Sequence, residues 1–274
     1  MATPLAPPLV ALVGFGEAGE TFVSAKGWRG DARAWDILPE RRAAMATHGV
    51  ATGDDPATAL GGRAFILSLV TADSALDAAR DYAPLLPEGA LWCDMNSVAP
   101  PTKREAAAAI EAAGGRYVDV AVMAPVDMGM AVPLLVSGPH ALAAQPLLEA
   151  LGFSNVRVVG DEVGRASATK MIRSVMIKGL EALSWECAAA AEAAGVFDEV
   201  MASLDASEKP IGWAGRVAYN RERMETHGLR RAAEMEESAR TLEELGIEPV
   251  MTRGTAELQR RAAKIKGNGR NDKA

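Results

Sequence analysis

The stretch LVALVGFGEAGE, residues 9–20, joins an apolar run to a glycine-rich turn. The run LVALV is apolar at every position, which is typical of a strand covered on both faces of a sheet. The glycines that follow have the spacing G-x-G-x-x-G, and a helical pattern comes next. Missing side chains let backbone N–H groups approach a pyrophosphate, whose charge the helix N-terminus favours. The stretch therefore predicts a nucleotide-binding βα unit, and the alternative is a tight turn that only packs a helix on a strand.

This turn is the predicted phosphate-binding part of a cofactor site. We expect the cofactor to contact Gly14, Phe15, Gly16, Glu17, Ala18 and Gly19. Asp36 closes the next predicted strand, 17 residues beyond Gly19, where a carboxylate accepts hydrogen bonds from the adenosine ribose. A carboxylate there repels a 2′-phosphate, so NAD is the expected cofactor. Arg41 and Arg42 lie nearby and could serve NADP if their loop folds back.

The first part of the chain alternates short apolar runs with helical patterns, which is typical of repeated βα units. The predicted strands are Leu9–Val13, Arg33–Ile37, Phe65–Val70, Leu91–Met95, Tyr117–Val122, Leu134–Ser137 and Val156–Val159. These features predict an α/β fold of the Rossmann type, with a doubly wound, mostly parallel sheet.

The sequence pattern changes after Gly164. No further strand is predicted there, and the apolar residues of long stretches recur at helical spacing. One helical pattern covers residues 165–194 and another covers residues 229–246. We therefore predict a nucleotide-binding domain over residues 1–161 and an all-α C-terminal domain over residues 162–274. The polar tail, of which the last ten or so residues are expected to be disordered, closes the chain.

Composition excludes several classes of function. The chain has 29 Lys and Arg against 36 Asp and Glu, a net charge of −7, which is the wrong sign for a nucleic-acid partner. Cys93 and Cys187 form no CxxC pair, and the three histidines show no metal-ligand spacing, so we expect two buried thiols and no metal. No segment has the length of a membrane span, and a signal peptide is not expected at the N-terminus. The expected location is the cytoplasm.

Four polar residues share one face of the predicted helix 165–194. Lys170, Ser174, Lys178 and Glu181 recur at spacings of four, four and three residues. One interpretation is that these lysines only form a solvent-exposed face of the helix. The sharper one is a reactive lysine, because apolar neighbours such as Met171, Ile172 and Val175 would remove water from Lys170 and lower its pKa.

Three further segments carry a resemblance to a known family. CDMNSVAPPT at residues 93–102, YVDVAVMAPV at residues 117–126 and the Lys170 helix follow the glycine turn in order. With them the chain resembles the β-hydroxyacid dehydrogenases related to 6-phosphogluconate dehydrogenase. The segment HGLRRAAEMEESARTLEELGIEP at residues 227–249 resembles the helical C-terminal domain of a less characterised branch of these oxidoreductases. The resemblance implies hydride transfer to or from a nicotinamide cofactor, and a homodimer built through the helical domain.

The resemblance also implies roles for individual residues. Lys170 stands at the position of the general acid/base, and Ser174 stands beside it where most relatives have asparagine. Ser97 matches a position near the nicotinamide ribose, although a helix cap is an equally good interpretation. The resemblance places further cofactor contacts at Leu69, Val70 and Thr71, of which Thr71 has helix capping as its alternative role.

The expected substrate grip departs from the family. Many relatives grip a substrate carboxylate with a Ser-Gly-Gly turn, whereas this chain has Met123, Ala124 and Pro125 there. Proline has no N–H to donate, so a larger or more apolar substrate becomes plausible. Lys178 could bind a substrate carboxylate or pair with Glu181. Arg231 could reach the cleft of a neighbouring subunit or pair within its own helix.

The leading hypothesis is an NAD(P)-dependent oxidoreductase of a hydroxy acid or its keto form, with Lys170 as general acid/base. The alternatives are an oxidative decarboxylase of a β-hydroxy acid, an imine reductase and a nucleotide-binding regulatory protein without chemistry. The expected partner is a small-molecule substrate, whose identity the sequence does not give.

Overall fold

The structure is a computed structural model that describes residues 8–26, 28, 32–208 and 210–268. Eight strands form one sheet in the order β3-β2-β1-β4-β5-β6-β7-β8. The strands are β1 Val10–Val13, β2 Ala32–Trp35, β3 Ala51–Thr52, β4 Phe65–Ser68, β5 Leu91–Asp94, β6 Arg116–Val122, β7 Leu134–Ser137 and β8 Val156–Gly160. Neighbouring strands are parallel except β6 and β7. The predicted doubly wound, mostly parallel sheet is confirmed.

Strand β1 lies in the middle of the sheet and is buried on both faces. Val10 and Leu12 belong to one apolar cluster, and Ala11 and Val13 belong to the cluster on the opposite face. Successive side chains of a strand point to opposite faces, so a strand between two helical layers has to be apolar at every position. The apolar run at residues 9–13 therefore supplies an inner strand of the sheet.

Helices alternate with the strands up to β8, except between β6 and β7, and then continue alone. They are α1 Glu17–Lys26, α2 Pro39–Thr47, α3 Pro56–Leu60, α4 Ala75–Tyr82, α5 Pro100–Ala112, α6 Ala141–Leu151, α7 Arg165–Ala194, α8 Phe197–Ser207, α9 Trp213–Glu244 and α10 Val250–Asn268. None of the described helices is long and apolar enough to cross a membrane.

The bounds of α7 follow from its sequence. Gly164, with φ +104°, precedes the helix, and Gly195, with φ +69°, follows it. At the C-terminal end the N–H groups of Gly195 and Val196 donate to the carbonyls of Glu192 and Ala191, which closes the last turn. The helix therefore covers residues 165–194, as the sequence predicted.

Some elements differ from the sequence predictions. Strand β3, which has two residues, and helices α8 and α10 were not predicted, and α9 begins at Trp213 rather than near residue 229. Helix α10 continues to Asn268, into the tail that was predicted to be disordered, and residues 269–274 lie outside the described part of the chain.

The chain divides into two compact units, Met1–Ser174 and Val175–Ala274. The first unit contains the sheet and the first turns of α7. The second consists of the rest of α7 with α8, α9 and α10. The domain boundary at residue 161 stays a prediction.

Candidate functional site

The three glycines of the turn after β1 have three different surroundings. Gly14 has φ +92°, and a Cβ atom there would lie 2.6 Å from the carbonyl oxygen of Leu69. A Cβ atom on Gly19 would lie 3.0 Å from the carbonyl oxygen of Gly14, so this glycine lets α1 pack closely on the turn. A Cβ atom on Gly16 would meet no atom of the described residues within 4 Å. The turn therefore needs two glycines for its own geometry and keeps Gly16 open to a ligand, which is the arrangement of a pyrophosphate cradle.

Asp36 is held against this turn. Its Oδ2 accepts a hydrogen bond of 2.8 Å from the N–H of Phe15, and its Oδ1 accepts one of 2.9 Å from the N–H of Leu38. Arg42 donates to the backbone carbonyls of Asp36 and Ile37, and its guanidinium lies 4.9 Å from the ring centre of Trp35. The carboxylate is therefore fixed in position beside the glycine turn.

A cavity of about 460 Å³ lies at the carboxyl ends of β1, β2 and β4. Parallel sheets of this kind bind ligands outside the carboxyl ends of the strands, where the strand order reverses, and that point lies between β1 and β4 here. The lining includes Gly14, Gly16, Trp35, Asp36, Arg41, Leu69, Val70, Thr71 and Tyr82. We call this space the nucleotide cavity. It gathers most of the residues that the sequence assigned to the cofactor.

A second cavity, of about 370 Å³, lies beyond the glycine turn and contains the predicted reactive lysine. Lys170 is half-buried, and its Nζ donates to Ser97 Oγ at 2.5 Å. The lining also includes Glu17, Ala18, Leu69, Val70, Met95, Asn96, Val122, Ala124, Pro125 and Val126. We call this space the lysine cavity. Leu69 and Val70 line both cavities, so the two are adjacent.

The structure does not bring every predicted residue to these cavities. Phe15 is fully buried in the core behind the turn, and only its backbone N–H takes part. Met123 packs beside Ala121, Leu135 and Ala166 and is absent from the described lining of the lysine cavity, so its role at the substrate stays a prediction.

Three predicted residues of the long helices also lie outside the described cavity linings. Ser174 is half-buried, one turn beyond Lys170, and Lys178 is exposed. Arg231 is half-buried in α9 and belongs to the second unit. Its role at a neighbouring subunit stays a prediction.

Two physical arguments from the sequence need correction. Ile172 and Val175 are 72% and 75% exposed, so they do not remove water from Lys170. The surroundings of this lysine come instead from the ends of β4, β5 and β6. Ser97 does not cap the following helix, because the N-cap residue of α5 is Ala99 and Ser97 Oγ accepts from Lys170.

Cysteine burial was predicted correctly for Cys93 alone. Burial raises the pKa of the Cys93 thiol far above its ordinary value, with the nearby Asp94 adding to the shift, and the group is inert. Cys187 is only partly buried.

Asn96 is a cavity residue that sequence reasoning missed. It is 5% exposed, and its Nδ2 donates to Ser68 Oγ at 2.9 Å while its Oδ1 has no hydrogen-bond partner among the described residues. A buried amide oxygen without a partner is costly, and a ligand in the cavity could satisfy it. The signal was present, since an amide directly before Ser97 follows an apolar strand.

Comparison with known proteins agrees with this geometry. Residues 9–160 match the model of the NAD binding domain of 6-phosphogluconate dehydrogenase, and residues 191–262 match a domain of unknown function, DUF1932. An uncharacterised 28.5 kDa protein of Methanothermus fervidus is 32% identical over 143 residues, which are 52% of this chain and 54% of that protein. The matched region therefore spans about half the length of that relative.

Solved structures extend the similarity over nearly the whole chain. A conserved hypothetical protein from Sinorhizobium meliloti 1021 is 38% identical, with a TM-score of 0.62, over 95% of this chain and 90% of that one. A conserved protein of unknown function, described as similar to 3-hydroxyacid dehydrogenases, is 30% identical, with a TM-score of 0.60, over 94% and 98%. An imine reductase from Myxococcus stipitatus in complex with NADP⁺ is 22% identical, with a TM-score of 0.76, over 94% of each chain, and shares the fold.

The family model covers more than half of the chain. The matched residues include the glycine turn, Asp36 and the carboxyl ends of the strands beside both cavities. The fold is that of NAD(P)-binding enzymes similar to 3-hydroxyacid dehydrogenases, with imine reductases as structural neighbours. The chain belongs to the family defined by the NAD binding domain of 6-phosphogluconate dehydrogenase.

Proposed function

We propose that the protein is an NAD(P)-dependent oxidoreductase that interconverts a hydroxy acid and its keto form, with Lys170 as general acid/base. The observation that carries the proposal is the contact between Lys170 Nζ and Ser97 Oγ, which lies in a cavity adjacent to the nucleotide cavity. A proton carrier beside the site of hydride transfer is what alcohol oxidation needs, because the hydroxyl loses a proton as its carbon loses a hydride.

The residues of the glycine turn fit a dinucleotide. Gly16 is open, Asp36 is fixed beside the turn, and the nucleotide cavity continues into the lysine cavity past Leu69 and Val70. A nicotinamide cofactor supplies or accepts the hydride. The N-terminus of α1 would hold the pyrophosphate of this cofactor, and Lys170 lies on the far side of the turn.

Lys170 exchanges a proton with the substrate oxygen in this proposal. A neutral Lys170 Nζ accepts the hydroxyl proton during oxidation, and the ammonium returns it during reduction. Ser97 lies within hydrogen-bond distance of Nζ and orients it, and a hydroxyl can donate to or accept from the same substrate oxygen. Asn96 offers to the substrate its Oδ1, which has no hydrogen-bond partner among the described residues.

NAD is the proposed cofactor. The Asp36 carboxylate is fixed by two backbone N–H groups beside the nucleotide cavity, where it would repel a 2′-phosphate. Arg42 is engaged by two backbone carbonyls and by the ring of Trp35. Arg41 lines the cavity and is the arginine through which NADP could bind.

Binding is tested by titrating the full chain with NADH and with NADPH. Trp35 lines the nucleotide cavity, so energy transfer from tryptophan to the reduced nicotinamide reports occupancy, and Trp35→Phe identifies its share of the signal. We expect NADH to bind more tightly than NADPH. Asp36→Asn should reduce the difference between the two dissociation constants. Tighter NADPH binding that is lost in Arg41→Ala would reverse the cofactor assignment, and binding of neither would overturn the function.

Chemistry is tested by screening hydroxy acids with NAD⁺, with and without Lys170. Lys170→Met should lower kcat by roughly 10²–10⁴-fold while leaving NADH affinity unchanged, because only the proton carrier is lost. Lys264→Met is the matched control, since it removes an exposed lysine of α10 by the same substitution. Turnover that survives in Lys170→Met at the wild-type rate contradicts the assigned role.

Imine reduction is the second candidate, favoured by the apolar side chains that line part of the lysine cavity. Val122, Ala124, Pro125 and Val126 form one wall, and Pro125 has no N–H with which to hold a substrate carboxylate. An apolar cyclic imine suits such a wall better than a small anion does. Reduction of a cyclic imine by NADH or NADPH that persists in Lys170→Met would favour this reading over the first.

We also propose that the protein is a homodimer through its helical unit. That unit carries a series of exposed large apolar side chains: Val175, Met176, Leu180, Leu183, Trp185, Leu204, Trp213 and Leu229. Trp185 is 79% exposed, which is unusual for so large an aromatic side chain and is typical of a residue at an interaction surface. Sedimentation equilibrium should give twice the chain mass, and Trp185→Glu should shift the protein toward the monomer. A wild-type monomer at micromolar concentration would contradict this proposal.

A further inference from the structure

A cluster of buried charges lies in the sheet unit, outside the described linings of both cavities. Lys103 of α5, Asp94 of β5 and Asp119 of β6 are all 0% exposed. Lys103 Nζ lies 2.6 Å from the backbone oxygen of Asp94, 2.9 Å from Asp94 Oδ1 and 3.4 Å from Asp119 Oδ1. Burying three charged groups is expensive, and an apolar core of the same volume is often at least as stable. The cluster therefore calls for an explanation other than stability.

Asp94 connects the cluster to Ser97. Its Oδ1 accepts from the N–H of Asn96 at 2.9 Å, and its Oδ2 accepts from the hydroxyl of Tyr117 at 2.6 Å. Burial and the carboxylate of Asp94 raise the pKa of Tyr117 well above its ordinary value, so the phenol keeps its proton and remains a donor. The turn after β5 is thereby fixed one residue before Ser97.

Asp119 connects the same cluster to Lys170. Its Oδ2 accepts from the N–H of Gly164 at 3.1 Å, from the N–H of Ser167 at 3.0 Å and from the hydroxyl of Ser167 at 3.1 Å. These groups lie at Gly164, just before α7, and in the first turn of α7, where backbone N–H groups have no partner within the helix. Asp119 thus fixes the start of α7, and Lys170 follows Ser167 by three residues, which is about one helical turn.

A second acceptor completes this cap. Ser137 Oγ of β7 accepts from the N–H of Ala166 at 2.9 Å and donates to Asp119 Oδ2 at 3.1 Å. The first turn of α7 is therefore tied to β6 and β7 by two side chains, with Lys103 between Asp119 and Asp94.

We propose that Lys103 is a positioning residue for the pair formed by Lys170 and Ser97. By holding Asp94 and Asp119 to one ammonium group, it sets the distance between the turn after β5 and the start of α7. Without that charge, two buried carboxylates face each other, and their repulsion pushes them apart. This movement displaces the acceptors that hold the turn after β5 and the start of α7, so the contact between Lys170 Nζ and Ser97 Oγ loosens. The inference rests on the proposed function, in which this pair moves the substrate proton.

The glycine turn lies on other strands and supplies an internal reference. Gly14 and Asp36 follow β1 and β2, and none of the hydrogen bonds that hold Asp36 involves the cluster. A positioning role therefore predicts that nucleotide affinity is kept while the geometry of Lys170 changes. A general loss of structure would affect both.

The first test needs no substrate. The full chain is acetylated with trace acetic anhydride over a range of pH, and the extent of reaction at Lys170 and at the exposed Lys264 is read by peptide mass spectrometry. In Lys103→Met we expect Lys170 labelling to rise severalfold toward that of Lys264, with NADH affinity within twofold of wild type. Lys103→Arg, which keeps the charge, should restore part of the protection.

Two results would overturn the inference. One is unchanged Lys170 labelling in a folded Lys103→Met protein, and the other is a parallel loss of NADH affinity. If Lys103→Met does not fold, Ser167→Ala serves instead, because it removes one hydrogen bond to Asp119 and leaves every charge in place. It should raise Lys170 labelling in the same direction by a smaller factor, and no rise would count against the proposal.

The second test is kinetic and uses a substrate found in the screen. If Lys103 acts through the pair, Lys103→Met and Ser97→Ala should each lower kcat, and the double variant should be little worse than the more impaired single variant. Multiplicative effects would show that Lys103 acts elsewhere. If Lys103→Met raises the labelling of Lys170 but the protein turns over no substrate, only the proposed function is refuted. If turnover depends on Lys170 but Lys103→Met leaves the labelling of Lys170 unchanged, only the positioning role is refuted.

Discussion

Helices α1 and α7 both supply residues to the lysine cavity, yet their first turns are completed in opposite ways. At α7, side chains from β6 and β7 accept hydrogen bonds from the N–H groups of Gly164, Ala166 and Ser167. At α1, the Asp36 carboxylate takes the N–H of Phe15, before the helix begins, and Gly16 opens to empty space. One helix N-terminus is closed by the protein, and the other is left open.

The difference separates two tasks. An open N-terminus can bind an anion through backbone groups, which requires glycines and little else. A closed N-terminus cannot bind a ligand, but it fixes the direction and register of the helix that carries Lys170. Substitutions at the two ends should therefore have different signatures, with nucleotide affinity changing at one and lysine geometry changing at the other.

The largest effect is expected where the closed end depends on a buried charge. Lys103→Met leaves Asp94 and Asp119 without their shared cation, and breaking a buried ion pair in this way costs about 3–5 kcal/mol. The free energy of unfolding, measured by urea denaturation with far-ultraviolet circular dichroism, should fall by that amount. Lys264→Met on the surface should change it by less than about 0.5 kcal/mol.

The next effect concerns the open end. Gly14→Ala places a Cβ atom 2.6 Å from the carbonyl oxygen of Leu69 at a residue with φ +92°. Backbone strain of this kind costs about 1–3 kcal/mol, and the neighbouring chain has to move as well. We expect lower stability together with loss of NADH binding by energy transfer.

Gly16→Ala is the matched substitution for Gly14→Ala, because it adds the same methyl group to the same turn. A methyl group there meets no described atom within 4 Å, so stability should stay within about 0.5 kcal/mol of wild type. NADH affinity should still fall, because the methyl group occupies the space into which the pyrophosphate would enter. Equal NADH affinity in Gly16→Ala and wild type would remove Gly16 from the cofactor site.

Sequence reasoning succeeded where structure depends on neighbours in the chain. The glycine turn was predicted from the G-x-G-x-x-G spacing between an apolar strand and a helical pattern. That spacing is a local signal, because φ above zero and close backbone approach require glycine whatever the rest of the fold does. The full length of α7 was predicted from its periodicity and from Gly164 and Gly195 at its ends. Asp36 was predicted from its place at the end of a strand, although the two N–H groups that hold it became visible only in the structure.

It failed where contacts join distant segments. Lys103 lies in a helical, charged stretch, TKREA at residues 102–106, and lysine is rarely fully buried, so nothing distinguished it from a surface residue. A signal did exist in its partners, because Asp94 and Asp119 are charged residues within apolar strands and therefore require a buried cation or donors.

A third helix N-terminus extends the comparison to the helical unit. Glu186 of α7 is 7% exposed, and its carboxylate accepts from the N–H of Met251, the N–H of Thr252 and the hydroxyl of Thr252 at the start of α10. Like Asp119, it closes a helix from a distant part of the chain. It differs in having no buried cation beside it among its described contacts, so its removal tests capping without charge pairing.

Glu186→Gln should lower the free energy of unfolding by about 0.5–2 kcal/mol, which is the range of a lost helix cap and less than the loss expected for Lys103→Met. Burial raises the pKa of Glu186, but the hydrogen bonds from Thr252 and Met251 outweigh burial, and the pKa lies below its ordinary value of 4.5. A carboxyl whose pKa is lower in the folded state stabilises the protein above its unfolded pKa, and that stability is lost as the pH falls through the folded pKa. The difference between wild type and Glu186→Gln should therefore be constant from pH 8 to about pH 5 and shrink below about pH 4.5, as measured by denaturation at each pH. A difference that persists unchanged at pH 3 would mean that Glu186 supports α10 through packing, and the parallel with Asp119 would then not hold.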